Sequence, residues 1–332
     1  MSLPTRPLGT SGIQITTVGF GAWALGGGGW QFAWGSQDDE QSVAAIRHAV
    51  ESGVNWIDTA AVYGLGHSEE VVARALDGIA APDRPFVFTK AGVTWDPADR
   101  SAPTRHQIDA ASIRREVEDS LRRLRTERID LYQVHWPPED GTPVAEYWPA
   151  MADLKAEGKV RAIGLSNHSA AQLAEAEEIA HVDSLQPPFS AINRRAAEEI
   201  GWAADHGTGV IVYSPMQSGL LTGAFSRERA DSLPDDDWRR GHPNFTTRLD
   251  ANLAVADALK PIAERHGVPV ASVAVAWTLA WPGVTGAIVG ARGPAQVDGW
   301  LPAGPLRLTD ADLGEIADAV TRAGAGEGPV KP

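Results

Sequence analysis

The chain has 332 residues, 43% hydrophobic and 22% charged, with no cysteine and a formal net charge of −14. The acid excess argues against a nucleic-acid partner, which calls for a basic face, and the missing thiols exclude disulfides, thiolate metal sites and cysteine nucleophiles. No window approaches the ~18 apolar residues of a membrane span, and "MSLPTRPLGTSG" lacks the apolar core of a secretory signal, so a cytoplasmic protein without a membrane partner is expected.

Strand-like and helix-like segments alternate along the chain. Ile13–Trp23 reads as the first strand and Gln41–Gly53 as an amphipathic helix ended by glycine. "NWIDTA" is the second strand, followed by a helix over Ser68–Gly78 with Ser68 as its N-cap. Pro85–Gly92 is the third strand. The sign-alternating run Ile113–Arg128 is a solvated helix face laced with ion pairs. Arg128–Trp136, Val160–Asn167, Asp183–Ser190, Gly209–Pro215 and Val284–Ala291 complete eight strands, most with a helical segment between them. Several are continuous apolar runs, as parallel strands buried on both faces require. The pattern predicts a single (β/α)8 TIM barrel over residues 1–332, with a doubly wound sheet as the runner-up. Long inserts follow strands one, three (Val93–Ala111) and seven (Met216–Leu249), where function concentrates.

"GFGAWA" (Gly19–Ala24) matches a dinucleotide fingerprint, but that motif must open a helix and here runs into "LGGGGWQFAWG". A Rossmann reading is therefore rejected. The histidines show no H-E-x-x-H or i, i+4 pairing, so no metal is expected.

In such a barrel the chemistry lies at the C-terminal ends of the strands. Those ends carry Asp58 with Tyr63 beyond it, Lys90, His135, Ser166 and Asn167, Gln186, and Tyr213 and Ser214. A phenol with its usual pKa near ~10 needs help to exchange protons at neutral pH. An ammonium can lower it, and a carboxylate can hold the ammonium. Asp58, Tyr63, Lys90 and His135 supply these parts for protonating a carbonyl oxygen as hydride arrives at carbon. Trp30, Trp34 and Trp95 read equally well as an aromatic pocket or as loop packing.

"IDTAAVYG", "TKAG", "LYQVHW", "GLSNHS", "LQPPFS", "YSPMQSGLLTG" and "IVGARGPAQV" occur in the order of the aldo-keto reductases. The sequence resembles that family, nearest its bacterial stress-type and potassium-channel β-subunit branch. The resemblance implies Tyr63 as general acid, Lys90 as the group lowering its pKa, Asp58 as the anchor of Lys90, and His135 as the guide of the carbonyl. It implies NADPH as cofactor, with NADH possible, bound without a Rossmann fold. Ser166, Asn167 and Gln186 would hold the carboxamide, and Tyr213 would stack on the nicotinamide. Ser214, Pro215, Ser218, Gly219 and Leu220 would line the pyrophosphate. Gly290, Arg292 and Gln296 would reach the adenosine end. Trp23 and Trp136 would line the pocket of a small carbonyl substrate. Trp300 stands where that branch usually has Asn near the adenine. The activity so implied is NADPH-dependent reduction of aldehydes and ketones. The alternatives are a cofactor-binding regulatory subunit and a barrel isomerase or lyase.

Overall fold

The structure is a computed structural model describing residues 3–234 and 237–331. Its first element was not anticipated. Thr5–Pro7 (β1) and Gln14–Thr16 (β2) pair antiparallel, outside the main sheet. The run Ile13–Trp23 is therefore not one strand. It divides into β2 and Val18–Gly21 (β3), which starts the barrel, and ends in a 3-10 turn at Trp23–Gly26. Thr16 and Thr17 turn the chain between them, and Trp56 Nε1 donates to Thr16 O at 2.7 Å.

The barrel continues with Trp56–Asp58 (β4) and Phe86–Ala91 (β5). Val93–Thr94 (β6) and Arg105–His106 (β7) form a small hairpin in the third-strand insert. Ile129–Val134 (β8), Val160–Ser166 (β9), Ser184–Gln186 (β10), Gly209–Val212 (β11) and Val284–Gly290 (β12) close the circle. Every barrel pair is parallel, and β12 returns to β3. A closed parallel barrel has no free edge, and this one excludes the open-sheet alternative.

Helices Asp39–Glu51 (α1), His67–Leu76 (α2), Ala110–Leu124 (α3), Val144–Ala156 (α4), Ala170–Glu177 (α5) and Ala197–Asp205 (α6) follow the successive strands. Asp38, Asp109 and Ser169 cap α1, α3 and α5 by accepting from backbone N–H groups. Ser68 is not a cap. Gly66 starts α2, and Ser68, fully buried, donates to Ala22 O and meets the Thr59 hydroxyl, tying α2 to the barrel mouth. On α3, Arg114 pairs outward with Asp153 and Glu157, while Arg123 pairs inward with the buried Glu69. Arg227–Asp231 (α7), Leu249–His266 (α8) and Val270–Leu279 (α9) precede β12, and Pro294–Trp300 (α10) and Asp310–Ala323 (α11) follow it. Trp300 is buried on the inner face of α10 as a core residue. Among the described residues no helix is long and apolar enough to cross a membrane.

Two apolar layers position the site. Branched residues on the outward faces of the strands pack under the helices. Inside, Trp56, Phe88, Leu131, Ala162, Ile211 and Ile288 fill the lower barrel, and Leu8, Ile13 and Ile15 of the hairpin plug it from below. Gly19 on β3 makes room for Trp56: a Cβ there would lie 2.1 Å from the indole Cε2. Gly19→Ala is expected to destabilise the fold by ~1–3 kcal/mol, the range for overpacking a core. A urea melt checks it, and an unshifted midpoint would mean that the indole can step aside.

Candidate active site

Asp58 ends β4 and Lys90 lies on β5 two residues above the Asp58↔Phe88 pair, so their side chains meet inside the barrel mouth. Lys90 Nζ is 2.6 Å from Asp58 Oδ1 and 2.8 Å from Thr59 O. Both side chains are buried, at 0% and 3% exposure. Burial pushes the Asp58 carboxyl up and the Lys90 ammonium down, and the attraction and hydrogen bond between them offset both shifts. Gln186 Nε2 donates to Asp58 Oδ2 at 2.9 Å.

Tyr63 comes from the turn after β4, with its ring 5.1 Å from Lys90 Nζ and edge-on to His135 at 5.6 Å. Four of the expected groups thus converge: Asp58, Tyr63, Lys90 and His135. Their electrostatics differ from expectation at one point. Lys90 was to lower the Tyr63 phenol, yet burial, then the charge of Asp58 and then Tyr213, push it well above its ordinary range. The main physical reason is burial, which disfavours the charged phenolate, and the Asp58 carboxylate, 2.6 Å from Lys90 Nζ, adds to it. Tyr63 is part-exposed at the mouth but is a held proton donor. Burial, then Lys90 and then His106, hold the His135 imidazole well below its usual pKa, so it is neutral.

The remaining strand ends form one network. Ser166 Oγ donates to Gln186 O at 2.9 Å, and Asn167 Nδ2 donates to His135 O at 3.0 Å. Tyr213 OH donates to Asn167 Oδ1 at 2.8 Å. Asn167 has φ 62, a left-handed backbone that asparagine tolerates better than most side-chain-bearing residues. His168 Nδ1 lies 2.8 Å from Ser166 O, which can only accept, so Nδ1 carries the proton and Nε2 accepts from Tyr147 OH at 2.8 Å. Burial lowers His168 to about 4 and keeps it in this neutral form.

After β11 the chain turns through Ser214 (φ 56), Pro215, Met216 (φ −100), Gln217 (φ 46), Ser218 (φ 54) and Gly219 (φ 100) to the buried Leu220. A right-handed residue followed by left-handed ones makes a concave, amide-lined turn that suits anions. Gly290 ends β12 on the same rim. Arg292 is not free there: Nε donates to Gln37 Oε1 at 2.6 Å and Nη2 to Ser36 O. Gln296 Oε1 accepts from Arg292 N at 2.7 Å.

The mouth is aromatic. Trp23 stacks near Tyr63 at 6.3 Å and near Trp238 at 6.4 Å, and Trp34 stands edge-on to both indoles. Arg239 covers Trp34 and donates to Ser218 O. Trp136 stands at the outer rim, stacked on His106 at 5.4 Å. Of the loop tryptophans, Trp30 packs beside Tyr63 at 6.5 Å. Sequence reasoning missed Gln37, Trp238 and Arg239, which reach the mouth only through contacts between distant loops.

The comparisons agree with this architecture. The aldo/keto reductase family profile matches residues 17–321. The chain is 36% identical to aldo-keto reductase YhdN of Bacillus subtilis over 87% of its own length and 85% of that protein. It is 34% identical to the NADH-specific methylglyoxal reductase of Escherichia coli, over 95% of this chain and 99% of that one. Among solved structures, the glycerol dehydrogenase AKR11B4 of Gluconobacter oxydans superposes with a TM-score of 0.87 at 37% identity, covering 99% of this chain and 97% of that one.

Proposed function

This chain belongs to the aldo/keto reductase family, and we propose that it reduces small aldehydes or ketones to alcohols with NADPH preferred over NADH. Its class is that of the NAD(P)H-dependent oxidoreductases. The observation that carries the reading is the buried Asp58–Lys90 pair with Tyr63 and neutral His135 gathered over it. The family's methylglyoxal reductase and glycerol dehydrogenase act on small oxygenated molecules, which supports a small carbonyl here.

The residues on the rim fit a dinucleotide. The amide-lined turn at Ser214–Gly219 suits its phosphates, Asn167 and Ser166 offer polar atoms at the mouth, and Tyr213 offers a ring. Gly290, Arg292 and Gln296, at and just beyond the end of β12, would meet its adenosine end. When bound, the nicotinamide supplies the hydride. The protein's own part is proton transfer. His135, neutral and edge-on to Tyr63, orients the carbonyl oxygen. The Tyr63 hydroxyl then gives its proton to the oxygen as negative charge develops there. Lys90, its ammonium 5.1 Å from the Tyr63 ring, partly offsets the cost of the phenolate left behind, and Asp58 keeps Lys90 in place.

The raised phenol gives a pH dependence. Reduction needs Tyr63 protonated, and that form persists below its folded pKa, so no alkaline loss of kcat is expected below about pH 10. Alcohol oxidation needs the phenolate and should still be rising there. Profiles measured in both directions check this, and a reduction rate that falls near neutrality would contradict it.

NADPH carries an extra phosphate on the adenosine ribose, and Arg292 would read it by exchanging its bonds to Gln37 and Ser36 for that phosphate. Arg292→Ala is expected to weaken NADPH roughly 10–150-fold, from ~1.5–3 kcal/mol for a charge-assisted hydrogen bond, and to spare NADH. NADH preference is the second reading, favoured by the engagement of Arg292 with Ser36 and Gln37 and by the NADH-specific relative. Fluorescence titration with both cofactors decides between them: equal losses would remove Arg292 from that role. A panel of aldehydes and ketones, followed by loss of nicotinamide absorbance, tests the activity itself. Turnover of none of them with either cofactor would overturn it.

A further inference from the structure

Under the ion pair lies a polar layer that proton transfer at Tyr63 does not use. Gln133 on β8 and Ser184 on β10 are completely buried. Neither the amide nitrogen and oxygen of Gln133 nor the hydroxyl of Ser184 makes a hydrogen bond. The register sets them at one level. Gln133 pairs with Lys90 on one side and with Gly164 on the other, and Gly164 pairs with Ser184. The two side chains meet over the bare backbone of Gly164: a Cβ there would be 3.1 Å from Gln133 Cγ and 3.2 Å from Ser184 Cβ. A buried amide with no partner is costly, and the apolar Leu131 two residues earlier on the same face shows what would fill this space without that cost.

We propose that Gln133 is a positioning residue which, with Ser184 and one internal water, holds the Asp58 carboxylate in the orientation that pairs with Lys90. Gln133, Ser184 and Asp58 offer three polar partners, the usual number for a buried water. The Gln133 amide also approaches Asp58 as a weak hydrogen-bonding partner that favours its ionised form, outside the geometry of a full hydrogen bond. The other groups facing this carboxylate are Lys90 from β5, Gln186 from β10 and Tyr63 from the turn above. Lys90 is itself faced by Glu69 of α2 and by His135. The inference rests on the reading of Asp58, Tyr63, Lys90 and His135 given above.

Gln133→Leu keeps the volume and removes the amide. In this variant the acid limb of kcat for carbonyl reduction is expected to move up by about one pH unit, with roughly tenfold lower kcat on that limb, because the carboxylate becomes easier to protonate. KM for the cofactor should not change. Gln133→Asn should restore part of the shift, and Ser184→Ala should produce a smaller one in the same direction. An infrared pH titration of the Asp58 carboxyl stretch, assigned with Asp58→Asn, should move with the kinetic limb. Lower kcat with both the limb and the infrared titration unmoved would show a merely structural role and overturn the proposal, as would a wild-type profile in Gln133→Leu. If Gln133→Leu does not fold, an unmoved carboxyl titration in Ser184→Ala overturns it equally. Failure of the unaltered enzyme to reduce any carbonyl would strike the reading of the site instead, since the infrared titration needs no turnover.

Discussion

Tyr63→Phe is expected to keep the fold and cofactor affinity while lowering kcat ~10²–10⁴-fold, the usual contribution of a positioned general acid. The ring contacts with Trp23, Trp30 and His135 survive the loss of one oxygen, so packing is conserved. The lost atom is the one with a held proton at the mouth, and neutral His135 cannot replace it, because its own pKa is driven down. Single-turnover kinetics with pre-bound cofactor isolate the chemical step. A variant retaining more than about a tenth of the wild-type rate there would show that Tyr63 is not the acid.

Lys90→Met is expected to cripple turnover and also to destabilise the protein. Methionine fills the space but leaves Asp58 as a buried carboxylate with, among the described residues, the Gln186 hydrogen bond and the weaker approach of Gln133. Breaking one side of a buried pair typically costs ~3–5 kcal/mol. The double variant Lys90→Met/Asp58→Asn removes the stranded charge, so it should regain most of the stability and none of the activity. Urea denaturation and kcat, measured side by side, separate the two roles. Equal stability of the single and double variants would mean that the pair is not ionised in the folded protein.

The eight strands and their polar ends were legible because a parallel barrel buries both faces of each strand. A polar residue closing an apolar run then stands out, as Asp58, Lys90 and His135 do. The hairpin under the barrel was not legible, since the β-branched Thr16 and Thr17, where the chain turns, suit a strand as well as a turn and let Ile13–Trp23 read as one strand. Ser68 looked like a cap because it precedes acidic residues, but its hydroxyl serves the barrel wall. The state of Tyr63 could not be read either, because the sign of its shift depends on how deeply the phenol is buried and on the charge of Asp58 beside it. Arg292 stood out by its motif, whereas its partner Gln37 lies 255 residues away and carries no local signal.

The plug joins the two ends of the chain. Arg6, on its outer strand, donates to Val284 O at 2.6 Å across a separation of 278 residues, and also to Leu279 O at 3.2 Å. The hairpin precedes every barrel strand in sequence, and β12, which completes its seat, is the last of them. Closure of so long a loop is slow, and until it closes Leu8, Ile13 and Ile15 lack part of their apolar seat. A circular permutant that moves β1 and β2 behind β12 should therefore fold faster than the present order, and stopped-flow refolding checks it.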